Sequence, residues 1–145
     1  MIFKSNIIRV KAMCLLSDGE RVLVGKGQDF VKKNYFYRVL GGSTEFGETS
    51  EEGVRREIRE ELGCDIENLE LLDVIENIFE FEGQKGHEIT FMFKGRVSDK
   101  SIEKKDAIHI QESDYEYTAY WISIKDVLEG KVILYPTADY KKYLK

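Results

Sequence analysis

The segment from Gly41 to Gly63 constrains the fold of this chain more than any other part of the sequence. It begins with two adjacent glycines and continues to Thr49, which is followed three residues later by Glu52. A threonine with a glutamate three residues on is the capping-box pattern, and Gly63 is a typical helix stop. The segment therefore predicts a glycine-rich turn that leads into a helix over residues 49–62.

The predicted helix carries an apolar stripe next to a cluster of carboxylates. Three apolar residues recur every four positions and predict the core-facing side: Val54, Ile58 and Leu62. At about 100° per residue, Glu61 lies roughly 40° to one side of Glu57 and Glu60 roughly 60° to the other. The three carboxylates therefore share a face beside the stripe.

A divalent metal ion is the chemistry that this acidic face favours. Like charges at helical spacing repel by a few tenths of a kcal/mol per pair, and a cation removes that repulsion. Oxygen ligands select Mg²⁺ or Mn²⁺ over zinc. The alternative interpretation is a solvated, charge-rich helix, because Glu and Arg are good helix formers. Gly53 lies on the acidic face, and its missing side chain predicts a close approach of the Gly41–Gly42 turn.

The spacing of Gly42, Glu48 and the run Arg56-Glu57-Ile58-Arg59-Glu60-Glu61-Leu62-Gly63 resembles the Nudix box, the signature of the Nudix (MutT-like) hydrolases. The box covers about a sixth of the chain. The resemblance implies one Nudix domain over residues 1–145, of the α+β class, with a mixed β-sheet between helices in an α/β/α sandwich. It also implies Mg²⁺-dependent hydrolysis of a phosphoanhydride bond, with Mn²⁺ as a substitute ion.

The implied substrate is a nucleoside diphosphate linked to another group. Nucleoside triphosphates, dinucleoside polyphosphates and nucleotide sugars all stay open. An alternative is a Nudix-like domain that binds a nucleotide without cleaving it. That alternative needs a degenerate box, and this box is intact.

The resemblance also assigns roles within the box. The metal ligands, three carboxylates and one carbonyl, match Glu57, Glu60, Glu61 and Gly41. A structural ion pair that orients the loop against the helix matches Glu48 and Arg56, and Gly42 belongs to the box as well. Gly53 is expected to support the site because of its place on the acidic face of the helix, not because of the resemblance. Three positions depart from the common pattern without removing a ligand: Leu40, Gly53 and Cys64.

The box does not identify the general base, which in this family is either a box glutamate or a carboxylate from a later loop. Five acidic residues lie in the polar segment before the Trp121 strand: Glu103, Asp106, Glu112, Asp114 and Glu116. Glu112 and Glu116 are favoured because they shortly precede that strand. For each of the five, a solvated loop acid is the alternative.

Three residues outside the box are candidate substrate contacts. Arg38 precedes the two glycines and is placed either to bind a phosphate or to pair with Glu48. Tyr37 is a candidate for stacking on a base, and Phe79 for lining the pocket. Core packing is the alternative for both aromatic side chains.

Hydrophobic periodicity and turn residues predict the remaining elements. Strands are predicted over residues 6–16, 21–25, 35–40, 69–81, 88–97 and 118–122. Residues 25–34 and 98–115 are predicted to be loops, 82–86 a turn, and Gly41-Gly42 a break after the third strand. Short helices are predicted over residues 123–129 and 138–144.

Composition limits the partners. The net charge is −5 and no basic stripe is visible, which argues against duplex nucleic acid but allows a small nucleotide bound through a metal. No apolar run is long enough to span a bilayer, so no membrane partner is expected. Two cysteines are too few for a disulfide scaffold and predict a reducing, cytoplasmic location. A homodimer stays open, because many family members form one.

Overall fold

The computed structural model of the protein describes residues 6–112 and 115–144. The strands described, in chain order, are β1 (Ile8–Ser17), β2 (Arg21–Asp29), β3 (Asn34–Ser43), β4 (Ile66–Phe81), β5 (Gln84–Val97), β6 (Ala107–Glu112), β7 (Tyr115–Ser123) and β8 (Leu134–Tyr135). The helices are α1 (Ser50–Leu62), α2 (Ile124–Leu128) and α3 (Tyr140–Leu144), with a 3₁₀ helix over Lys100–Lys104. Among the described helices, none is long and apolar enough to cross a membrane.

The strands form one mixed sheet in the order β4-β5-β1-β3-β2-β7-β6, and β8 pairs with β3. The β1–β5 and β3–β8 pairs are parallel, and the other pairs are antiparallel. Helix α1 packs on one face, where Val54 and Ile58 are fully buried. Helices α2 and α3 cover the other face. The predicted α+β class, with a mixed sheet between helices in an α/β/α sandwich, is confirmed.

Helix α1 begins and ends where the sequence predicts. Thr49 accepts a hydrogen bond from the Glu52 amide at 3.1 Å, and the Glu52 carboxylate accepts one from the Thr49 amide at 2.9 Å. At the other end, Gly63 has a φ of 70°, and its amide bonds to the Arg59 carbonyl. These hydrogen bonds satisfy backbone groups that would otherwise be unpaired at the two ends of the helix. The bounds of α1 therefore follow from residues that are close in sequence.

The prediction that Gly41-Gly42 breaks the third strand is wrong. Both glycines lie inside β3, where Gly41 pairs with Met13 and Gly42 with Ala12. Gly41 has a φ of 145°, and a Cβ there would lie 2.2 Å from the Ala12 carbonyl oxygen. Glycine therefore allows β3 to lie close to β1 rather than ending the strand.

The predicted loop over residues 98–115 is also wrong, because it contains the 3₁₀ helix and β6. Ile108 and Ile110 alternate with polar residues along β6, and Ile110 is fully buried in the core under α1. Since β6 is the last strand of the sheet, its outward side chains are polar, which made the segment resemble a loop.

The predicted loop over residues 25–34 is wrong in its first part, because β2 continues to Asp29. The two glycines in this part made it resemble a loop. A Cβ at Gly25 would lie 2.8 Å from the Tyr117 ring, and one at Gly27 would lie 2.6 Å from the Phe36 ring. These strand glycines make space for aromatic rings. The predicted turn over residues 82–86 is shorter than expected, because β5 already begins at Gln84.

Candidate active site

Three carboxylates from two elements converge beside α1. Glu57 and Glu61 lie one helical turn apart on α1, and Glu112 lies at the end of β6. One oxygen of each lies within 4.8 Å of the others. Glu57 and Glu61 are buried, and Glu57 Oε2 and Glu61 Oε1 accept no hydrogen bond from any described residue. Buried acceptors without a donor are costly, and a cation would satisfy them.

Burial raises the pKa of both helix carboxyls. The pKa of Glu61 is raised to about 8, chiefly by desolvation, while a hydrogen bond from the Tyr117 hydroxyl opposes the rise. Desolvation also raises the pKa of Glu57, and Arg56 opposes it. The nearby charge of Glu112 adds to the rise at both positions. Ionised carboxylates are therefore close together in a buried region where their charges are unfavourable. A bound cation would compensate for these charges.

Gly42 provides the space in which the Glu57 carboxylate lies. A Cβ at position 42 would lie 2.3 Å from Glu57 Cδ and 2.5 Å from each carboxylate oxygen. The backbone of β3 thus forms one wall of the carboxylate cluster.

Gly53 makes space for a different group from the one expected. A Cβ there would lie 2.9 Å from Glu48 Oε1 and 3.5 Å from Thr44 Oγ1. The predicted approach of the Gly41–Gly42 segment to Gly53 is therefore wrong. The side chain of Glu48 lies there because it reaches over the first turns of α1 to Arg56.

The predicted ion pair between Glu48 and Arg56 is present and bidentate. Arg56 Nε donates to Glu48 Oε2 at 2.8 Å, and Nη2 donates to Oε1 at 2.9 Å. Arg56 Nη2 also donates to the Ser43 carbonyl at 3.1 Å, and Nη1 donates to Glu57 Oε1 at 3.1 Å. The paired guanidinium holds the pKa of Glu48 at about 2. This network links the loop before α1, the end of β3 and the Glu57 carboxylate.

Arg38 lies between the carboxylate cluster and a neighbouring cavity. Its guanidinium carbon is 5.0 Å from the centroid of the Tyr117 ring, and Nη2 donates to the Tyr115 hydroxyl at 3.4 Å. The hydroxyl of Tyr117 in turn donates to Glu61. Arg38 also lines the cavity, and its positive charge acts on Glu61, so it lies near both the cavity and the carboxylate cluster.

The cavity lies between β3 with β8 on one side and β1, β5 and β4 on the other. Its apolar wall is largely aromatic: Phe36, Phe79, Phe81, Tyr135 and Pro136. Charged side chains also face it, among them Lys11, Asp29, Arg38 and Glu88. An apolar cavity with a few converging polar groups is the usual form of a small-molecule site.

The sequence model of the NUDIX domain matches residues 7–141. This chain belongs to the Nudix family. The predicted family and the predicted hydrolase class are thereby confirmed.

Individual relatives are similar over parts of the chain. The human mitochondrial NAD(P)H pyrophosphatase NUDT13 is 41 % identical over 59 residues, which is 41 % of this chain and 16 % of that protein. Its mouse counterpart is 41 % identical over 56 residues, covering 39 % of this chain and 15 % of that protein. The chain therefore matches only a small part of these curated relatives.

Two solved structures share the fold. The MutT Nudix hydrolase of Burkholderia pseudomallei superposes with a TM-score of 0.54 at 24 % identity, covering 83 % of this chain and 86 % of that one. The E. coli ORF135 protein superposes with a TM-score of 0.52 at 19 % identity, covering 89 % and 81 % of the two chains.

Not all of the predicted acidic residues join the cluster. The Glu60 side chain is 56 % exposed and lies 3.4 Å from Arg56 Nη1. Glu116 is 61 % exposed and lies beside His109, on the opposite face of β7 from Tyr117. Glu103 binds Arg96 through two contacts of 2.8 Å, and Asp106 is exposed. Asp114 lies outside the described residues.

Two of the three predicted substrate contacts lie at the cavity, and the third does not. Arg38 and Phe79 line the cavity. Tyr37 packs against the core under α2 and α3, on the opposite face of β3 from Arg38. Three residues that the sequence reasoning did not select lie at the site or cavity: Lys11, Glu88 and Tyr117. A charged residue within an apolar strand was the available signal for Lys11 and Glu88.

We expect Glu48→Gln to weaken the affinity for Mn²⁺ about tenfold. The amide keeps one acceptor for Arg56 but loses the charge, so Arg56 holds the loop and Glu57 less firmly. Calorimetric titration with Mn²⁺ measures the change, and Glu45→Gln, whose exposed side chain lies 3.5 Å from Arg56, is the control. Equal affinities for wild type and Glu48→Gln would show that the ion pair does not orient the cluster.

Proposed function

We propose that this Nudix protein hydrolyses a phosphoanhydride bond in a small nucleotide, using Mg²⁺ held by Glu57 and Glu61. Two observations carry this proposal: Glu57 and Glu61 each have a buried carboxylate oxygen without a hydrogen-bond donor, and one oxygen of each of these residues lies within 4.8 Å of the other and of a Glu112 oxygen. Nucleoside triphosphates, dinucleoside polyphosphates and nucleotide sugars are the proposed substrate classes.

The residues present fit a hard divalent cation. All three clustered side chains offer oxygen atoms, and Mg²⁺ is usually held by a few carboxylates together with substrate phosphates. The Gly41 carbonyl is a proposed further ligand, since Gly41 adjoins the glycine that faces Glu57. Glu60 remains a proposed ligand too, because its side chain is 56 % exposed and its contact with Arg56, at 3.4 Å, is longer than the contacts of Arg56 with Glu48.

The chain's own residues account for the rest of the reaction. When bound, Mg²⁺ neutralises charge on the phosphate oxygens. Glu112, which is less buried than the two helix carboxylates, accepts a proton from the attacking water. The water oxygen bonds to phosphorus, the bridging P–O bond breaks, and the leaving phosphate takes the electron pair. Arg38 neutralises charge on a neighbouring phosphate group.

We expect Glu112→Gln to lower kcat about a hundredfold while changing the affinity for Mn²⁺ much less. The amide cannot accept the proton, whereas Glu57 and Glu61 still bind the ion. Glu116→Gln is the matched control, because Glu116 belongs to the same hairpin but faces the other way. Measuring kcat and Mn²⁺ affinity for both variants separates the roles. A Glu112→Gln variant with unchanged kcat would remove Glu112 from the mechanism.

A panel of nucleotides tests the proposed function. The panel contains nucleoside triphosphates, dinucleoside polyphosphates and nucleotide sugars, each with Mg²⁺ and with excess chelator, and ³¹P NMR identifies the products. NAD(H) belongs in the panel because a matched relative is named an NAD(P)H pyrophosphatase. We expect Mg²⁺-dependent cleavage of at least one phosphoanhydride. A folded, metal-bound protein that cleaves none of them would favour nucleotide binding without cleavage.

The proposed partner is a small nucleotide rather than duplex nucleic acid or a membrane, in keeping with the net charge of −5. The proposed location is the cytoplasm, which is supported by two buried free thiols, Cys14 and Cys64. A fluorescent fusion tests the location, and light scattering tests whether the protein forms the homodimer that is common in the family.

A further inference from the structure

Each of the two buried helix carboxylates has one oxygen atom that accepts a hydrogen bond and one that does not. Arg56 Nη1 donates to Glu57 Oε1, and the Tyr117 hydroxyl donates to Glu61 Oε2. Glu57 Oε2 and Glu61 Oε1 are buried, and no described residue donates to either of them. The two carboxylates are therefore held in the same manner, with one oxygen of each left for another partner.

The two donors come from different parts of the fold. Arg56 precedes Glu57 on α1, and its guanidinium is fixed by two hydrogen bonds to Glu48. Tyr117 lies on β7, 56 residues after Glu61, and β7 is held between β2 and β6. The orientation of Glu57 thus depends on the helix and the loop before it, whereas that of Glu61 depends on the sheet.

The Tyr117 ring is fixed by its neighbours. The residue is only 8 % exposed, and a Cβ at Gly25 on β2 would lie 2.8 Å from Tyr117 Cε2. The Tyr115 ring is stacked against it with the centroids 5.5 Å apart, and the Arg38 guanidinium carbon lies 5.0 Å from its centroid. A side chain packed in this way has little freedom to change rotamer, so its hydroxyl is directed at Glu61 before any ion binds.

We infer that Tyr117 is a positioning residue of the metal site and acts through Glu61. Its hydroxyl holds Glu61 Oε2 so that Oε1 is left to bind the ion, as Arg56 does for Glu57. This inference rests on the proposed function, because it takes Glu57 and Glu61 to hold the ion. Partners that orient metal-binding side chains in this way commonly change metal affinity by roughly 10- to 100-fold when they are removed.

A tyrosine that only fills the core is the alternative role. Such a residue contributes to the free energy of unfolding, but its hydroxyl has no effect on metal affinity. Tyr117→Phe separates the two roles, because the ring still fills the space beside Gly25 and only the hydrogen bond to Glu61 is lost. The metal affinity of this variant therefore reports on the hydroxyl alone.

Calorimetric titration of the full chain with Mn²⁺ tests this inference without a substrate. We expect Tyr117→Phe to weaken the affinity for Mn²⁺ about tenfold, because Glu61 loses the donor that orients it. Tyr115→Phe is the matched control, since its hydroxyl is hydrogen-bonded to Arg38 rather than to Glu61. The control should bind Mn²⁺ as the wild type does.

The Mg²⁺ dependence of turnover gives a second readout, with a nucleotide that the wild type cleaves. Tyr117→Phe should raise the Mg²⁺ concentration for half-maximal rate about tenfold and change kcat at saturating Mg²⁺ much less. Saturating ion compensates for weaker binding, whereas the loss of a residue that takes part in the chemical step lowers kcat at any Mg²⁺ concentration.

Moving the ring without removing the hydroxyl should have the same effect. Gly25→Ala places a methyl group against the Tyr117 ring, so it should weaken Mn²⁺ binding in the wild-type background and add little in the Tyr117→Phe background. Gly27→Ala is the control, because a Cβ at that position of the same strand would meet the Phe36 ring instead, at 2.6 Å. Circular dichroism establishes that each variant is folded.

Equal Mn²⁺ affinity of the wild type and folded Tyr117→Phe would overturn the inference, as would an equal loss in Tyr115→Phe. If Tyr117→Phe does not fold, Gly25→Ala decides in the same way by comparison with Gly27→Ala. These results would leave the proposed function standing, because the wild type still binds the ion. Weaker Mn²⁺ binding by Tyr117→Phe, in a protein that cleaves no phosphoanhydride, would instead overturn the proposed function and leave the inference standing. A wild type that binds no Mn²⁺ would overturn both.

Discussion

Glu57→Gln is expected to lower kcat by roughly a thousandfold or more, the largest effect of any single change in this protein. Glu57 offers one of the two buried carboxylate oxygens that have no donor among the described residues, and Gly42 and Arg56 hold its side chain in place. The amide is nearly isosteric but carries no charge, so it neutralises no part of a divalent ion. Steady-state kinetics over a range of Mg²⁺ concentrations measures the loss.

The same substitution should leave the metal-free fold intact or more stable. The folded-state pKa of Glu57 is raised, so its ionisation costs stability as the pH rises above the unfolded-state value. Gln removes that cost. Thermal unfolding in chelator checks the sign, and Glu51→Gln, an exposed position on the first turn of α1, is the control. A Glu57→Gln variant with nearly full kcat would show that Glu57 does not hold the metal.

Gly42→Ala is expected to have the second-largest effect. The new methyl group would lie 2.3 Å from Glu57 Cδ, so either the carboxylate or β3 must move. We expect kcat to fall about a hundredfold, because small displacements of catalytic groups are costly. Overpacking should also lower the free energy of unfolding by about 1–3 kcal/mol.

A double-mutant cycle isolates the cause of that effect. Glu57→Ala removes the side chain that the new methyl group meets, so Gly42→Ala should cost little stability in the Glu57→Ala background. Chemical denaturation of the wild type, both single variants and the double variant gives the coupling. An equal cost in both backgrounds would mean that Gly42→Ala disturbs the pairing of β3 with β1 rather than Glu57.

The parts of the fold and site that follow from local chemistry could be predicted from the sequence. The capping box, the Gly63 stop and the spacing of Glu57 and Glu61 all lie within α1, where the helical period relates the positions directly. The ion pair of Glu48 with Arg56 spans only eight residues and was implied by the family resemblance.

Strand pairing could not be predicted in the same way, because its register depends on distant residues. In the β6–β7 hairpin, Glu112 pairs with Tyr115 and Glu116 with Gln111. This register directs Glu112 toward α1 and Glu116 away from it. The sequence left both open, since a shift of one residue would reverse them.

The roles of the buried charges and of the strand glycines could not be predicted for the same reason, since they depend on neighbours that are distant in sequence. Lys11 and Glu88 lie on strands that are distant in sequence and paired in parallel. Gly41 and Gly42 resembled a turn because the groups that crowd them are distant in sequence: β1, about 30 residues earlier in the chain, crowds Gly41, and Glu57 crowds Gly42.

Binding of Mn²⁺ tests the central claim most directly, since it measures the proposed ion site without assuming a substrate. Calorimetric titration should be run on the wild type and on Glu57→Gln, Glu61→Gln and Glu60→Gln. The account predicts a site that is lost in Glu57→Gln and Glu61→Gln and weakened far less in Glu60→Gln, whose side chain lies outside the cluster. Equal affinity in the wild type, Glu57→Gln and Glu61→Gln would contradict it.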